Sequence, residues 1–598
     1  MADRRQNHST PTRPRRPADL AQRGPGAHRT PAPGPRLIAL ALLLLVAVVG
    51  LAARLVDIQL GQGPQLAAAA ISNQVQSVSI PATRGLILDD SGQVLAGNAA
   101  AYDIFADPKQ IPASQRLREA DLLAAVLHLS AAHLATLLAK PLEFVYLART
   151  QPPAVESRLR HLNLQGIGSL RREVRSYGPG AVPGTSLASD LLGFVNQNGQ
   201  GQYGLEGYYN RQLAGHAGRE SVVSDLQGDP VVLGDQPTTK AVNGRNLQTS
   251  LDATVQWAVE QDLAQEVKKV NGASGTMMVM NAHTGAIVAW ADYPSYNAND
   301  YASEPVSLFR DQGVADLYEP GSVMKVVTFA GALQRGTITP DATFDETAAA
   351  ATVQGVTIQD WDHRYHGVIT YNWVLEDSLN AGAVHVEELE GGRPFYDNME
   401  NFGIGQPTGI DLAGEASQRL PQLSSLQPLQ LATASFGQGV VATPVEVMAA
   451  INAVANGGVW VQPHVVTSIS GGGQPTTYVQ PRTRRVISTQ TAATLAQMMV
   501  GVVDVTGASG YEARIWPTWK GEIAGKTGTA SVAQDGVYGA NTIDSFAEFL
   551  PASDPQYTLF CIIRAPQVPA AQREGAYDAA PTTRAVSQVL INRFKLQP

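Results

Sequence analysis

Residues 37–53 run for seventeen positions without a charge, mostly in Leu, Val and Ala, and this run restricts the rest of the chain more than any other. A helix of that length sits at the short end of what crosses a bilayer. Arg36 and Arg54 stand at its two ends, where long cationic side chains reach the headgroups. The preceding residues 1–36 hold eight arginines and only two acids, Asp3 and Asp19, among many Pro and Gly. Such a segment buries too little apolar surface to fold and is expected to be a disordered tail. Its arginines put it on the cytoplasmic side, which sends everything after Arg54 outside. A cleaved signal peptide competes, since Leu51-Ala-Ala53 offers small residues. The tail is long for an n-region, however, and the apolar run exceeds the usual h-region. The expectation is an uncleaved, single-pass transmembrane helix over 37–56 with the body of the protein extracytoplasmic.

The full 598 residues are too many for one domain. With 44% hydrophobic and 16% charged residues the composition is globular, and a net charge of −9 argues against a nucleic-acid binder. Cys561 is the sole cysteine, which excludes an intrachain disulfide; it lies in Tyr557-Thr-Leu-Phe-Cys-Ile-Ile563 and reads as a buried strand. The eleven histidines include no His-Glu-x-x-His string, so no metal site or cofactor is indicated. His363 and His366, beside Trp361 and Asp362, could be a ligand pair but are read as a solvated loop.

Past the apolar run the pattern is α+β. Leu86-Ile-Leu88 and Val94-Leu95-Ala96 flank Asp89-Asp-Ser-Gly92 and read as a β-hairpin. The glycines of 199–218 match no phosphate loop and read as turns and close packing. Near Asn246 the pattern changes. Val255, Val259 and Leu263 repeat at four-residue spacing, which predicts one apolar face of a helix. Two strands, 275–280 and 286–290, follow around a turn at His283-Thr-Gly285. A long helix followed by a hairpin predicts a second domain whose sheet packs on helices. The domains expected are the tail 1–36, the membrane helix 37–56, a non-catalytic region 57–245 and a catalytic region 246–598.

Three short strings carry the chemistry: Ser322-Val-Met-Lys325, Ser378-Leu-Asn380 and Lys526-Thr-Gly-Thr529. After the break at Pro320-Gly321, residues 322–333 are nearly all apolar and predict a core helix with Ser322 at its N-terminus. There backbone N–H groups favour developing negative charge. Lys325, three positions on, shares its face, and an apolar setting disfavours its ammonium form, leaving a base beside the hydroxyl. Alone, the first string is also a capping serine with a snorkelling lysine. The second is also a helix end or turn, and the third an exposed lysine at a turn. In this order on one secreted chain, they supply a nucleophile, a base, a second hydroxyl with an amide, and a cationic strand edge for a carboxylate.

The triple Ser-x-x-Lys, Ser-x-Asn, Lys-Thr-Gly resembles that of penicillin-binding proteins and serine β-lactamases. Secondary strings make the chain similar to a class B, monofunctional penicillin-binding protein over nearly everything after residue 37. They are Thr83-Arg-Gly85, Gly201-Gln-Tyr-Gly-Leu-Glu206, Phe402-Gly-Ile-Gly405, Thr408-Gly-Ile-Asp411, Ser435-Phe-Gly-Gln-Gly439 and Ala455-Asn-Gly-Gly458. The resemblance implies an elongated α+β pedestal of dimerisation type, then a β-lactamase-like transpeptidase domain with an antiparallel sheet flanked by helices. It implies a D,D-transpeptidase in which Ser322 is the nucleophile and Lys325 the general base, with Ser378 relaying a proton and Asn380 orienting the substrate. Lys526 would supply positive potential, the Thr527 and Thr529 hydroxyls would hold the terminal carboxylate, and Gly528 between them would be substrate-binding.

Implied partners are D-Ala-D-Ala stem peptides, an acceptor amine, β-lactam antibiotics, the membrane, a SEDS-family glycosyltransferase and the division or elongation machinery. The Arg-rich tail and the lack of a long insertion after the pedestal lean to division. A β-lactamase would need a deacylating base that cannot be singled out. A D,D-carboxypeptidase differs only in using water as acceptor. A scaffold that activates a polymerase partner is the non-enzymatic alternative.

Overall fold

A computed structural model describes residues 34–63, 65, 75–224, 230–231, 238–347, 351–534, 537–569 and 574–598. The Arg-rich tail therefore lies, up to residue 33, outside the described residues. The chain forms two compact units, Met1–Val78 with Ser221–Pro237, and Ser79–Glu220 with Thr238–Pro598.

In the first unit, α1 (Pro35–Val56) starts on a proline in its first turn, where a missing N–H costs nothing. Its helix continues to Gln62, and it alone among the described residues is long and apolar enough to cross a membrane. None of its side chains is buried, as expected of a helix whose apolar surface faces lipid.

The second unit opens with the expected hairpin. β1 (Ile87–Leu88) pairs antiparallel with β2 (Val94–Ala106) around Gly92, whose φ of +88° only glycine adopts freely. Along β2 run β3 (Val145–Gln151) and β4 (Ile167–Tyr177), both antiparallel to it. β5 (Arg245–Thr249) joins this sheet parallel to β1, and its other edge pairs with Val466–Gly471 from much later in the chain. One sheet thus ties the N-terminal region to the C-terminal half. Within the N-terminal region an ion cluster adds a second tie: Glu206, wholly buried, holds Arg84 Nε at 2.7 Å and Arg175 Nε at 2.6 Å.

α2 (Ala253–Lys269) is capped by Asp252, whose carboxylate accepts from the N–H groups of Thr254 and Val255. The predicted stripe of Val255, Val259 and Leu263 is buried, and the helix runs a turn and a half further than the repeat marks. β6 (Ser274–Asn281) and β7 (Ile287–Tyr293) follow as the expected hairpin. They end a five-stranded, wholly antiparallel sheet in the order β7-β6-β10-β9-β8, completed by β8 (Ala524–Gln534), β9 (Val537–Leu550) and β10 (Tyr557–Arg564). Strand alternation divides its side chains between two cores. Met277, Val279, Phe546 and Cys561 pack with α2 and the C-terminal helix Ala579–Phe594. Met278, Met280, Phe560 and Ile562 pack with helices Lys325–Arg335 and Pro444–Ala455. Cys561 is buried in its strand, as its apolar neighbours predict.

Removing the carboxylate of Glu206 leaves two buried guanidinium groups without their counter-charge. Glu206→Ala should therefore lower unfolding stability by roughly 3–5 kcal/mol. Urea denaturation reads this out, and a loss under about 1 kcal/mol would show that water reaches the two arginines.

Candidate active site

Pro320 and Gly321 lead into a single 3-10 turn, Gly321–Met324, and the helix α3 (Lys325–Arg335) starts only at Lys325. Ser322 therefore sits in the tight turn before the helix, not in its first α-helical turn as the apolar pattern predicts. The turn fits because two glycines clear its path. Gly321 has φ +62°, and a Cβ on Gly437 (φ +80°) would strike the Gly321 carbonyl at 2.1 Å. The Gly321 N–H donates to Gly437 O at 3.1 Å, so the Ser435-Phe-Gly-Gln-Gly439 string backs the nucleophile turn.

Behind Ser322, Lys325 is wholly buried. Its Nζ lies 3.1 Å from Ser322 Oγ, 2.5 Å from Ser378 O, 3.4 Å from Ser378 Oγ and 2.8 Å from Asn380 Oδ1. Ser378 takes φ +60°, a left-handed conformation that costs a non-glycine residue about 1–3 kcal/mol and collects at functional sites. Asn380 then opens helix α4 (Asn380–Glu390), so this string marks a helix start. The carboxylate of Asp360 holds that start by accepting from Asn380 N and Ala381 N at 2.5 and 2.9 Å.

The third string lies on β8, the edge strand of the five-stranded sheet, as its small neighbours predict. Lys526 is also wholly buried, with Nζ 2.7 Å from Ser378 Oγ and 3.2 Å from Thr527 Oγ1. Gly528 lets β8 pass the nucleophile turn: a Cβ there would meet Ser545 Oγ at 2.4 Å and Val323 Cγ2 at 2.7 Å. Burial lowers Lys325 to about 7, with Asp360 and Asp377 opposing the shift. Burial also pushes Lys526 down, and the positive charge of Lys325 pushes it further. Two ammonium groups flanking one serine in a dry pocket disfavour each other, so the geometry suits one charged and one neutral amine.

All eight residues singled out in the sequence converge here, from three segments of the chain. Ser322, Ser378, Asn380, Thr527 and Thr529 line one cleft of about 650 Å³. The cleft also has walls that no string announces, including Trp361, Ser509 and Tyr577. Ser509 receives a hydrogen bond from Thr527 Oγ1 at 3.1 Å, and its N–H donates to Glu376 O. Nothing local marks a lone serine in a loop, because its partners are distant in sequence. Both histidines lie in irregular chain, as the loop reading has it, and His363 is exposed; the solvated part is corrected for His366, whose side chain is only 16% exposed and turns in toward Glu346 and Asp360.

Residues 275–588 match the penicillin binding protein transpeptidase domain, and residues 79–249 the penicillin-binding protein dimerisation domain. The chain belongs to the penicillin-binding protein transpeptidase family. Stage V sporulation protein D of Bacillus subtilis (strain 168) is 30% identical over 554 residues, covering 89% of this chain and 82% of that one. Peptidoglycan D,D-transpeptidase FtsI of Escherichia coli (strain K12) is 30% identical over 534 residues, 88% of this chain and 86% of that one. A peptidoglycan synthetase from Bifidobacterium adolescentis superposes with a TM-score of 0.67 at 27% identity, covering 88% and 97% of the two chains. Penicillin-binding protein 3 of Mycobacterium tuberculosis, solved with aztreonam, shares the fold with a TM-score of 0.66 at 24% identity, covering 87% and 98%. This transpeptidase is thus an enzyme of cell-wall peptidoglycan synthesis that works through a serine acyl-enzyme.

The close approach at Gly528 makes it a sensitive point of the transpeptidase. Gly528→Ala must push β8 off the nucleophile turn, and a misplacement near 1 Å costs on the order of a hundredfold in rate. The rate of labelling by a fluorescent penicillin should fall by at least about tenfold. An unchanged rate would mean that Ser545 and Val323 yield without moving the strand.

Proposed function

We propose that Ser322 attacks the carbonyl between the two terminal D-alanines of a peptidoglycan stem peptide. The contact that carries this reading is Lys325 Nζ, within reach of Ser322 Oγ, Ser378 Oγ and Asn380 Oδ1 at once. Neutral Lys325 takes the Ser322 proton as the C–O bond forms. The developing oxyanion sits between the backbone N–H groups of Ser322 and Thr529. The amide C–N bond then breaks, and Ser378, bonded to both lysines, passes a proton to the departing D-alanine amine. Asn380 holds the substrate amide and Lys325. The Thr527 and Thr529 hydroxyls receive the terminal carboxylate, with Gly528 between them in the substrate-binding strand, and the negative charge of the carboxylate favours the ammonium form of Lys526 beside it.

An amine of a neighbouring strand attacks the ester, releases Ser322 and leaves a cross-link. A β-lactam acylates Ser322 in place of the substrate. α1 anchors the chain with its N-terminus in the cytoplasm and the cleft outside. The anchor and the region of the dimerisation domain are the contact surfaces for a SEDS-family glycosyltransferase, in the division machinery more readily than in the elongation machinery.

Membranes carrying the wild-type chain should label with fluorescent penicillin, and those carrying Ser322→Ala should not. Wild-type membranes that stay dark would sink the reading. Cells that grow normally on Ser322→Ala alone would assign the chain a scaffold role.

The pH dependence follows from Lys325. Its pKa is lowered to about 7, so the neutral, proton-accepting form is lost as pH falls through 7. Acylation should rise between pH 6 and 8 and drop close to tenfold per unit below pH 6. A rate flat across that range would exclude Lys325 as the base.

A further inference from the structure

Beside the catalytic string Ser378-Leu-Asn380, outside the cleft, three side chains aim acceptor atoms at one another. Glu346 directly follows the strand Thr343–Asp345 and is 0% exposed; Asp360 is 2% exposed. His366 lies before the strand Val368–Thr370, which pairs antiparallel with Thr343–Asp345. Each offers a ligand atom, and the three atoms lie within 4.8 Å of one another. Glu346 Oε1, Asp360 Oδ2 and His366 Nε2 are all buried and make no hydrogen bond in the structure.

Their other polar atoms are occupied. Glu346 Oε2 accepts from His366 N at 2.7 Å, and Asp360 Oδ1 accepts from Asn380 N and Ala381 N. Two wholly buried carboxylates with free lone pairs facing each other are costly, by several kcal/mol per uncompensated charge. A shared proton relieves two of the three atoms; a cation relieves all three.

We infer that Glu346, Asp360 and His366 are ligands of a divalent cation of the zinc class. One imidazole nitrogen with two carboxylate oxygens suits zinc. Zinc bonds of about 2.0–2.2 Å set ligand atoms roughly 3.4 Å apart, so the three need only a small inward shift. Asp362 Oδ2 lies 3.6 Å from His366 Nε2 but outside the group of three, so the fourth position is left to water. The ion has a structural part to play. It clamps a loop whose Asp360 caps the helix that starts at Asn380, while Asn380 Nδ2 is braced on Gln359 O at 3.2 Å. Glu346, Asp360 and His366 are therefore positioning residues for the second catalytic string, acting through backbone N–H groups and not on substrate.

The full-length chain, purified in detergent and stripped with a chelator, should take up one zinc ion on titration with zinc alone, counted by elemental analysis, and its melting temperature should rise. His366→Ala and Glu346→Gln should each weaken binding by at least about tenfold and abolish the thermal response. His363→Ala, on the exposed neighbour, should bind as wild type. A wild-type chain that holds no zinc, or both ligand variants binding it at wild-type affinity, would overturn the site. If the ligand variants fail to fold, the wild-type titration decides by itself. Zinc uptake by Ser322→Ala matching wild type separates the fate of this site from that of the catalytic reading.

Discussion

Two lysine side chains, Lys325 and Lys526, are buried completely and meet at one hydroxyl, Ser378 Oγ. Burying an ammonium group costs several kcal/mol unless it is paired or gives up its proton. Much of the local structure answers that cost. Lys325 is surrounded by Ser322 Oγ, Ser378 O and Asn380 Oδ1, and Lys526 by Ser378 Oγ and the carbonyl and hydroxyl of Thr527. To bring these partners in, Ser378 accepts a left-handed backbone and β8 must pass close enough to the nucleophile turn that only glycine fits at 528. The same desolvation that makes the pair expensive lowers Lys325 to a pKa where it can act as a base near neutral pH. Stability is given up locally and reactivity gained, the usual balance at a catalytic centre.

What the amino-acid order reveals, and what it hides, follows from the range of the interactions. The stripe Val255, Val259, Leu263 and the short apolar runs of the strands beside it were legible because helix period and apolar run length are local properties. The three catalytic strings were legible as chemistry, each within four residues. Their convergence was an inference from order and resemblance, since Lys526 meets Ser378 across 148 positions. The placement of Ser322 in a 3-10 turn was missed, because apolar content over 322–333 reports burial and not the pitch of the first turn. Asp360 and Ser509 were missed for a different reason. Each lies in irregular chain without a period, and its role exists only through a distant backbone N–H or hydroxyl. His366 misled in the same way: polar neighbours in sequence suggested a solvated loop, while the fold turned its ring inward.

The junction between the region of the dimerisation domain and the catalytic half has a consequence for how partners can act. Ile87, Leu95, Tyr177 and Leu205 belong to the same contiguous hydrophobic core as Val323, Val326 and Phe329 around the nucleophile turn. Polar ties cross the junction as well. Tyr209 Oη donates to Asp411 Oδ2 at 2.9 Å, and the same carboxylate accepts from Val465 N and Val466 N, the latter in the strand that completes the sheet through β5. Close-packed cores transmit displacement because they compress little. A partner that shifts β1 or the Arg84–Glu206–Arg175 cluster therefore works against the packing that also supports Ser322. Loose tethering would leave the catalytic half indifferent to such a partner; one continuous core with the buried Tyr209–Asp411 hydrogen bond across its seam does not. The physical warrant for coupling is this shared packing, and its strength is set by how much of the seam must break before the two halves move apart.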